Sequence, residues 1–160
     1  RDFLVGNEFE KLTNCKIISD PQIINNFNKK ILLMHGDSLC TDDEEYMQFR
    51  KYIRSSNIKN EILTKPLEER IKLANDLRAK SKSANASKAE DIMDVNHNSV
   101  IEAMKKNNAK ILIHGHTHRP MKHNINEIDS SRYVLGDWDV NGWYIKLNKF
   151  GLELLSFKIN

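Results

Sequence analysis

The amino-acid sequence predicts an α/β fold. Two short apolar runs, residues 31–34 and 111–113, each stop at or just before a His-Gly pair, as buried strands do where a turn ends them. Between them lie stretches with helical spacing: Tyr46, Phe49 and Ile53, then Leu67, Ile71, Ala74 and Leu77, then Val100, Ile101 and Met104. After the second run the chain reads as an antiparallel meander.

In order, residues 12–18 and 23–27 are short apolar stretches around Asp20-Pro21, a turn signal, and are expected to form a loop and an edge strand. Residues 31–34 make the first buried strand. Residues 42–80 change character: "DDEEYMQFRKYIRSS" carries acids early and bases late, as the helix dipole prefers. A polar break follows. "KPLEERIKLANDLRAK" then repeats the helical pattern with Leu67, Ile71, Ala74 and Leu77 inward, and Pro66 sits where a first helical turn tolerates it. "SKSANASKAEDIMDVN" is small and polar, a loop or a weak helix start. "HNSVIEAMKKNN" is a further helix closed by Asn107-Asn108. In the tail, "RYVLGDW" and "GWYIKLN" are expected to pair across Asp139-Val140-Asn141, with Asn141-Gly142 as the tight turn, and "LELLSFKI" to follow Lys149-Phe150-Gly151. "KILLMHG" and "KILIHGH" echo one another.

The 160 residues suffice for one domain with a real core. A net charge of +3, with lysines scattered rather than striped, permits an anionic ligand but gives no nucleic-acid footprint. Cys15 and Cys40 are too few for a disulfide framework or a cysteine zinc site, and two reduced thiols in a cytosolic protein are expected. The apolar runs are too short to span a bilayer. No feature calls for an obligatory protein partner. The opening "RDFLVG" lacks Met and any signal-like segment, so the sequence is expected to be the C-terminal part of a longer protein.

Half of the six histidines stand in "HGHTH", residues 114–118. His114 continues the apolar strand and is expected to be a buried, hydrogen-bonded core residue. His97 and His123 lie in polar surroundings and are expected to be solvated. His35 and His116 stand where strands end, the place ligands collect in open α/β sheets, and Gly115 is expected to turn the backbone so that His116 and His118 aim at one point. Imidazoles with open positions and no cysteine pair suit a catalytic Mn, Fe or Zn centre. Asp37, Asp42 and Asp43 are candidate carboxylates, though Asp42-Asp43-Glu44-Glu45 is as naturally an acidic helix start. No activated-nucleophile motif is present, so hydrolysis would run through metal-activated water.

"MHGD" followed by "GHTH" resembles the second half of the calcineurin-like metallophosphoesterase signature. "HGDSLCTDD", "RAKSKSANASK", "IMDVNHNSV" and "LIHGHTHRP", in that order, are similar to the UDP-2,3-diacylglucosamine diphosphatase family, lipid A pathway hydrolases of that superfamily. The resemblance covers nearly the whole chain. It implies a four-layer α/β/β/α sandwich over residues 1–160, its N-terminal part missing, with a helical cap inserted at residues 44–92. It implies two Mn²⁺ ions, with His35 and His116 on one and His118 on the other, and upstream blocks carrying the remaining ligands. It implies cleavage of the diphosphate of UDP-2,3-diacylglucosamine by a di-metal-activated hydroxide, giving UMP and 2,3-diacylglucosamine 1-phosphate.

The same resemblance makes Arg1 a catalytic, phosphate-holding residue, and Asp43, Ser81, Asn85, Lys88 and His116 substrate contacts. Ser81, Asn85 and Lys88, at spacings of four and three, would share one helix face. The implied location is peripheral, on the cytoplasmic face of a bacterial inner membrane. Residues 54–70 offer only Ile58, Ile62, Leu63 and Leu67 as apolar groups, which suits ordinary helix packing better than a lipid groove. A different phosphoesterase acting on nucleotides or phosphoproteins, and a partial domain without catalysis, are the rival readings. The chain by itself is expected to turn over little.

Overall fold

The computed structural model describes residues 2–85 and 92–159. The chain sorts into two compact units, one made of Arg1–Ile18 with Asp42–Met93, the other of Ser19–Thr41 with Asp94–Asn160.

The first unit is helical. A 3-10 turn, Asp2–Leu4, precedes α1 (Asn7–Thr13), and α2 (Glu44–Ile53), α3 (Ser56–Thr64) and α4 (Leu67–Asn85) follow. Asp43 caps α2, its carboxylate accepting the Tyr46 N–H at 3.0 Å. Helix α3 occupies the stretch expected to be a polar break. Its apolar groups are few, but Ile58 and Ile62 stand four apart, and Ile62 is buried with Ile53 of α2. Lys65, held extended because a proline follows, stops it. The inward face of α4 also differs from expectation. Leu67 and Ile71 are exposed, whereas Arg70, Leu73, Ala74 and Leu77, at helical spacing, are half-buried or line a cavity. An arginine with a long apolar stem belongs to that stripe, and counting it as polar displaced the predicted face by one residue. The helix runs on to Asn85, into the stretch expected to be a loop or a weak helix start.

The second unit is built on a five-stranded sheet in the order β1-β2-β3-β5-β4. Its strands are β1 (Gln22–Asn26), β2 (Lys29–Met34), β3 (Ile111–His114), β4 (Met121–Ile125) and β5 (Ser130–Val134); α5 (His97–Lys106) leads into β3. Strand β1 is the expected edge strand, joined to β2 by a two-residue turn in which Phe27 and Asn28 both take left-handed φ. Strands β2, β3 and β5 run parallel, and β4 returns antiparallel to β5.

Because the middles of β2 and β3 are covered on both faces, residues 31–34 and 111–113 are a continuous apolar run rather than alternating. Leu32 and Leu112 face α5 through Val100 and Met104. Ile31 and Ile113 face the other way, onto Ile145, Leu147, Leu152 and Leu154 of the hairpin β6 (Asn141–Asn148) and β7 (Gly151–Lys158). Helix, sheet and second sheet thus form three layers, in the α/β/β order of the expected sandwich.

The tail is not one meander. Strand β5 joins the large sheet, and only β6 and β7 pair with each other. Asn141-Gly142 opens β6 instead of making a turn. Gly142 is required there by close packing, since a Cβ would stand 2.4 Å from the Phe157 ring opposite. The reversal lies at Lys149-Phe150, held by the Asn148 carboxamide oxygen, which accepts the N–H groups of Phe150 and Gly151. Cys15 and Cys40 are free thiols. No helix among the described residues is long and apolar enough to cross a membrane.

Candidate metal and ligand site

The register pairs Ile31 with Ile111 and Met34 with His114, so the two echoed segments lie side by side. Both parallel strands release their chains at the same edge. There the Gly115 N–H donates to the His35 carbonyl at 3.1 Å, tying one turn to the other. The ring centroids of His35 and His116 stand 5.1 Å apart, tilted by 51°. The sharp bend belongs to Gly36, not Gly115. Gly36 has φ +111, and a Cβ there would meet His114 Nδ1 at 2.8 Å. Beyond Gly115 the histidines themselves take left-handed backbone, φ +66 at His116 and +52 at His118. Such conformers cost of order 1 kcal/mol or more each in a non-glycine residue and cluster at functional sites.

Asp37 is fully buried, and its Oδ1 lies 3.1 Å from His35 Nδ1. The ring of His35 is partly exposed. Thr117, between His116 and His118, holds a buried hydroxyl oxygen without a hydrogen-bond partner. Two imidazoles side by side, with a carboxylate near one of them, are donor types that a divalent cation takes, but they are two donors and not a complete ligand set. His118 is exposed and does not join them in a three-donor group; among the described residues no three His, Cys, Asp or Glu side chains gather closely enough to hold an ion.

His114 is the core residue expected. It is 1% exposed, with Nδ1 2.9 Å from the Gly115 carbonyl and Nε2 3.4 Å from Arg132. Burial above all, with the Arg132 guanidinium adding to it, pulls its pKa down to about 4. Arg132 approaches Asp94, which also accepts from Arg119, the residue after His118. His97 is exposed and pairs with Glu127 at 2.8 Å. His123 is half-buried rather than solvated, and that burial, with Arg132 opposite it across the β4–β5 ladder, lowers its pKa.

The helical unit carries a cavity of about 470 Å³, lined mostly by apolar groups, Phe3, Phe49, Ile62, Leu73 and Leu77 among them, with Arg70, Arg78 and Ser81 on its wall. Arg70 Nε is buried without a hydrogen-bond partner. A second cavity, about 250 Å³, brings Asp43 and Ser81 onto one lining with Tyr46 and Lys80. The apolar face expected to be plain helix packing therefore leaves real space. Asn85 follows Ser81 by one turn on α4, but its side chain, with Lys88 and Arg1, lies outside the described residues. Sequence reading missed Asp37 as the partner of His35, and Arg70 and Arg78 as cavity residues. The i+3 and i+4 spacing of Arg70 to Leu73 and Ala74 could have found the first arginine.

A model of the calcineurin-like phosphoesterase family matches residues 2–120. The chain is 41% identical over 159 residues to the UDP-2,3-diacylglucosamine hydrolase of Pectobacterium carotovorum subsp. carotovorum (strain PC1), covering 98% of this chain and 66% of that protein. It is 43% identical to the hydrolase of the same name from Pseudomonas syringae pv. tomato, covering 98% and 64%. For that of Pseudomonas paraeruginosa the identity is 43% over 162 residues, covering 99% and 67%. The chain spans about 66% of the first relative's length.

Proposed function

This chain belongs to the calcineurin-like phosphoesterase family, and from that premise we propose that it hydrolyses the diphosphate bond of UDP-2,3-diacylglucosamine to UMP and 2,3-diacylglucosamine 1-phosphate, in lipid A synthesis. The observation that carries the reading is one chain holding both an imidazole pair at the strand ends and an apolar cavity with cationic and hydroxyl groups on its wall. A nucleotide-lipid needs both kinds of site; a nucleotide or a phosphoprotein has no use for the second.

His35 and His116 would hold one divalent cation and His118 a second, Mn²⁺ suiting their mixture with carboxylates. Such ions, when bound, supply positive charge to phosphoryl oxygens and lower the pKa of water. The chain's own groups do the rest. Asp43 and Ser81, on one lining, orient the sugar through hydrogen bonds, and His116 doubles as a substrate contact. Arg78, beside Ser81 on the larger cavity, meets the phosphate. Asn85, Lys88 and Arg1 complete the headgroup and diphosphate contacts. The 470 Å³ cavity takes acyl chain, each buried methylene contributing about 0.8 kcal/mol. The Arg70 Nε–H finds in an acyl oxygen the acceptor it lacks. Residues 44–92 are the cap of the catalytic domain. A substrate that lives in a bilayer places the enzyme peripherally at the cytoplasmic face of the inner membrane.

The test is release of UMP from UDP-2,3-diacylglucosamine, with Mn²⁺, by the protein together with the upstream blocks that carry the remaining ligands, followed by chromatography. UMP formation that stops on chelation and returns with Mn²⁺ is expected. Cleavage of simple phosphodiesters with no UMP from the nucleotide-lipid would replace this reading with the rival phosphoesterase, and no cleavage of either would leave a binding domain.

A further inference from the structure

His114 ends β3 with almost no exposed surface, and neither the ligand set nor the substrate contacts use it. Its ring bridges two hydrogen-bonding groups of opposite kind. Nδ1 lies 2.9 Å from the Gly115 carbonyl oxygen, which can only accept, and Nε2 lies 3.4 Å from an Arg132 guanidinium nitrogen, which can only donate. One form of the ring satisfies both: neutral, with the proton on Nδ1 and the lone pair on Nε2. The sheet places the arginine for this. Arg132 pairs with Leu112 across the β3–β5 ladder, so it shares a face with Leu112 and with His114 two residues on.

The Gly115 carbonyl also accepts the Thr117 N–H, at 2.8 Å, closing a three-residue γ-turn around His116, whose φ is +66. Such a turn is rare and strained. A flip of the Gly115–His116 peptide plane would reset φ at His116 and relieve that strain, but it would swing the carbonyl away from both donors. The Thr117 N–H belongs to the turn itself. The His114 ring belongs to the core and cannot follow. Gly36, in the turn after His35, leaves room for this bond: a Cβ there would stand 2.8 Å from His114 Nδ1 and 3.1 Å from the Gly115 oxygen, the two atoms that form it. We propose that His114 is a positioning residue that clamps the Gly115 carbonyl through Nδ1–H, holds the peptide ahead of His116 against flipping, and so fixes the His116 ring beside that of His35. Its consequence for turnover rests on the proposed substrate contact of His116; the clamp itself does not.

Nuclear magnetic resonance on the full chain tests the clamp. The ¹⁵N signals of the His114 ring should show Nδ1 protonated and Nε2 bare. Two variants then separate the halves of the bridge. In H114N the amide nitrogen stands about where Nδ1 stood and still donates to the carbonyl; in H114Q the amide reaches the Nε2 position and keeps a partner for Arg132 only. H114N should keep the left-handed φ of His116 and H114Q should lose it, as read from the His116 amide–Hα coupling and from proton contacts between the His35 and His116 rings. UMP release, measured with the upstream blocks present as above, should fall about 10- to 100-fold in H114Q, the scale of loss when a reacting group is misplaced, and much less in H114N. An unaltered His114 ring found as Nε2–H overturns the proposal. So does an H114Q that keeps His116 left-handed, or an equal loss of UMP release in both variants, since burial of a ring would then be all that is required. The ring measurement needs no variant, so it decides the matter if H114Q fails to fold. A clamp that is seen, and is lost in H114Q, in a protein that releases no UMP at all supports the proposal and sinks the diphosphatase reading alone.

Discussion

The amide of Gly115 and the carbonyl of His35 meet at 3.1 Å, and this one bond joins two turns that are 80 positions apart in sequence. It holds because β2 and β3 are parallel and in register up to Met34 and His114. The rings of His35 and His116 inherit their 5.1 Å spacing from it. Replacing either ring should therefore damage the same function. H35A and H116A should each lower Mn²⁺ affinity and UMP release by more than about 100-fold, since even the outer partners of metal ligands are worth 10- to 100-fold. H97A, which removes only an exposed pair with Glu127, should leave both unchanged. Parallel titration and turnover of the three variants checks this.

The two glycines of these turns should respond differently to alanine. At Gly36 a methyl group meets His114 Nδ1 at 2.8 Å on a backbone with φ +111; at Gly115 the nearest neighbour is 3.9 Å away. G36A should cost about 2–3 kcal/mol, strain and clash together. G115A should cost less than about 1 kcal/mol. Urea midpoints of the two proteins give the comparison.

What could be read from sequence here follows from what periodicity encodes. Strands β2 and β3 and helices α2 and α5 were legible because burial on a fixed face leaves a repeat. Helix α3 was not, since two isoleucines four apart suffice to anchor it in a polar stretch. Strand β4 was not either: it is an edge strand with a single buried residue, Ile125, and carries almost no pattern. Asn141-Gly142 misled because a glycine needed to clear Phe157 has the same letters as one needed for a turn. At the site, the histidines were visible as residue types at strand ends. Asp37 was a candidate carboxylate in the sequence, but its full burial and its place beside the His35 ring are facts of packing that one sequence does not spell out.

Acid should find His114. Its pKa is about 4 in the folded protein against an ordinary 6.5. The folded state thus favours the neutral ring, so this contribution is complete above about pH 6.5 and fades as pH falls toward 4. A shift of that size corresponds to about 3 kcal/mol. A cation on nearby His116 would push the same way. Urea unfolding from pH 7 to 4 should show a loss that H114Q, which cannot titrate, lacks by roughly that amount.

Asp43 has two separable tasks, one seen and one proposed. Its side chain caps α2 by accepting from Tyr46 N–H, and it shares a cavity lining with Ser81. Asn caps as well as Asp does, but carries no charge. D43N should keep the melting temperature and raise KM for the nucleotide-lipid. D43A should raise KM too and also lose about 1 kcal/mol of stability. If D43N leaves KM untouched, the residue is a cap and nothing more.

The larger cavity makes the sharpest demand on the lipid reading. Ala74 lies on its wall, on the inward stripe of α4 between Arg70 and Leu77. A74F would project a ring into space that exists, so overpacking should cost no more than about 1–2 kcal/mol. If acyl chain occupies that space, the variant should bind a fluorescent fatty-acyl probe at least about 10-fold more weakly, and turnover of long-chain substrate should fall in step. A short-chain analogue, which reaches less of the cavity, should be cleaved nearly as before. The contrast between chain lengths is what matters, because a variant that had merely distorted the helix would lose both substrates alike. Equal losses, or none, would mean that the cavity is a packing defect among α2, α3 and α4, and that the hydrophobic part of the substrate is held elsewhere.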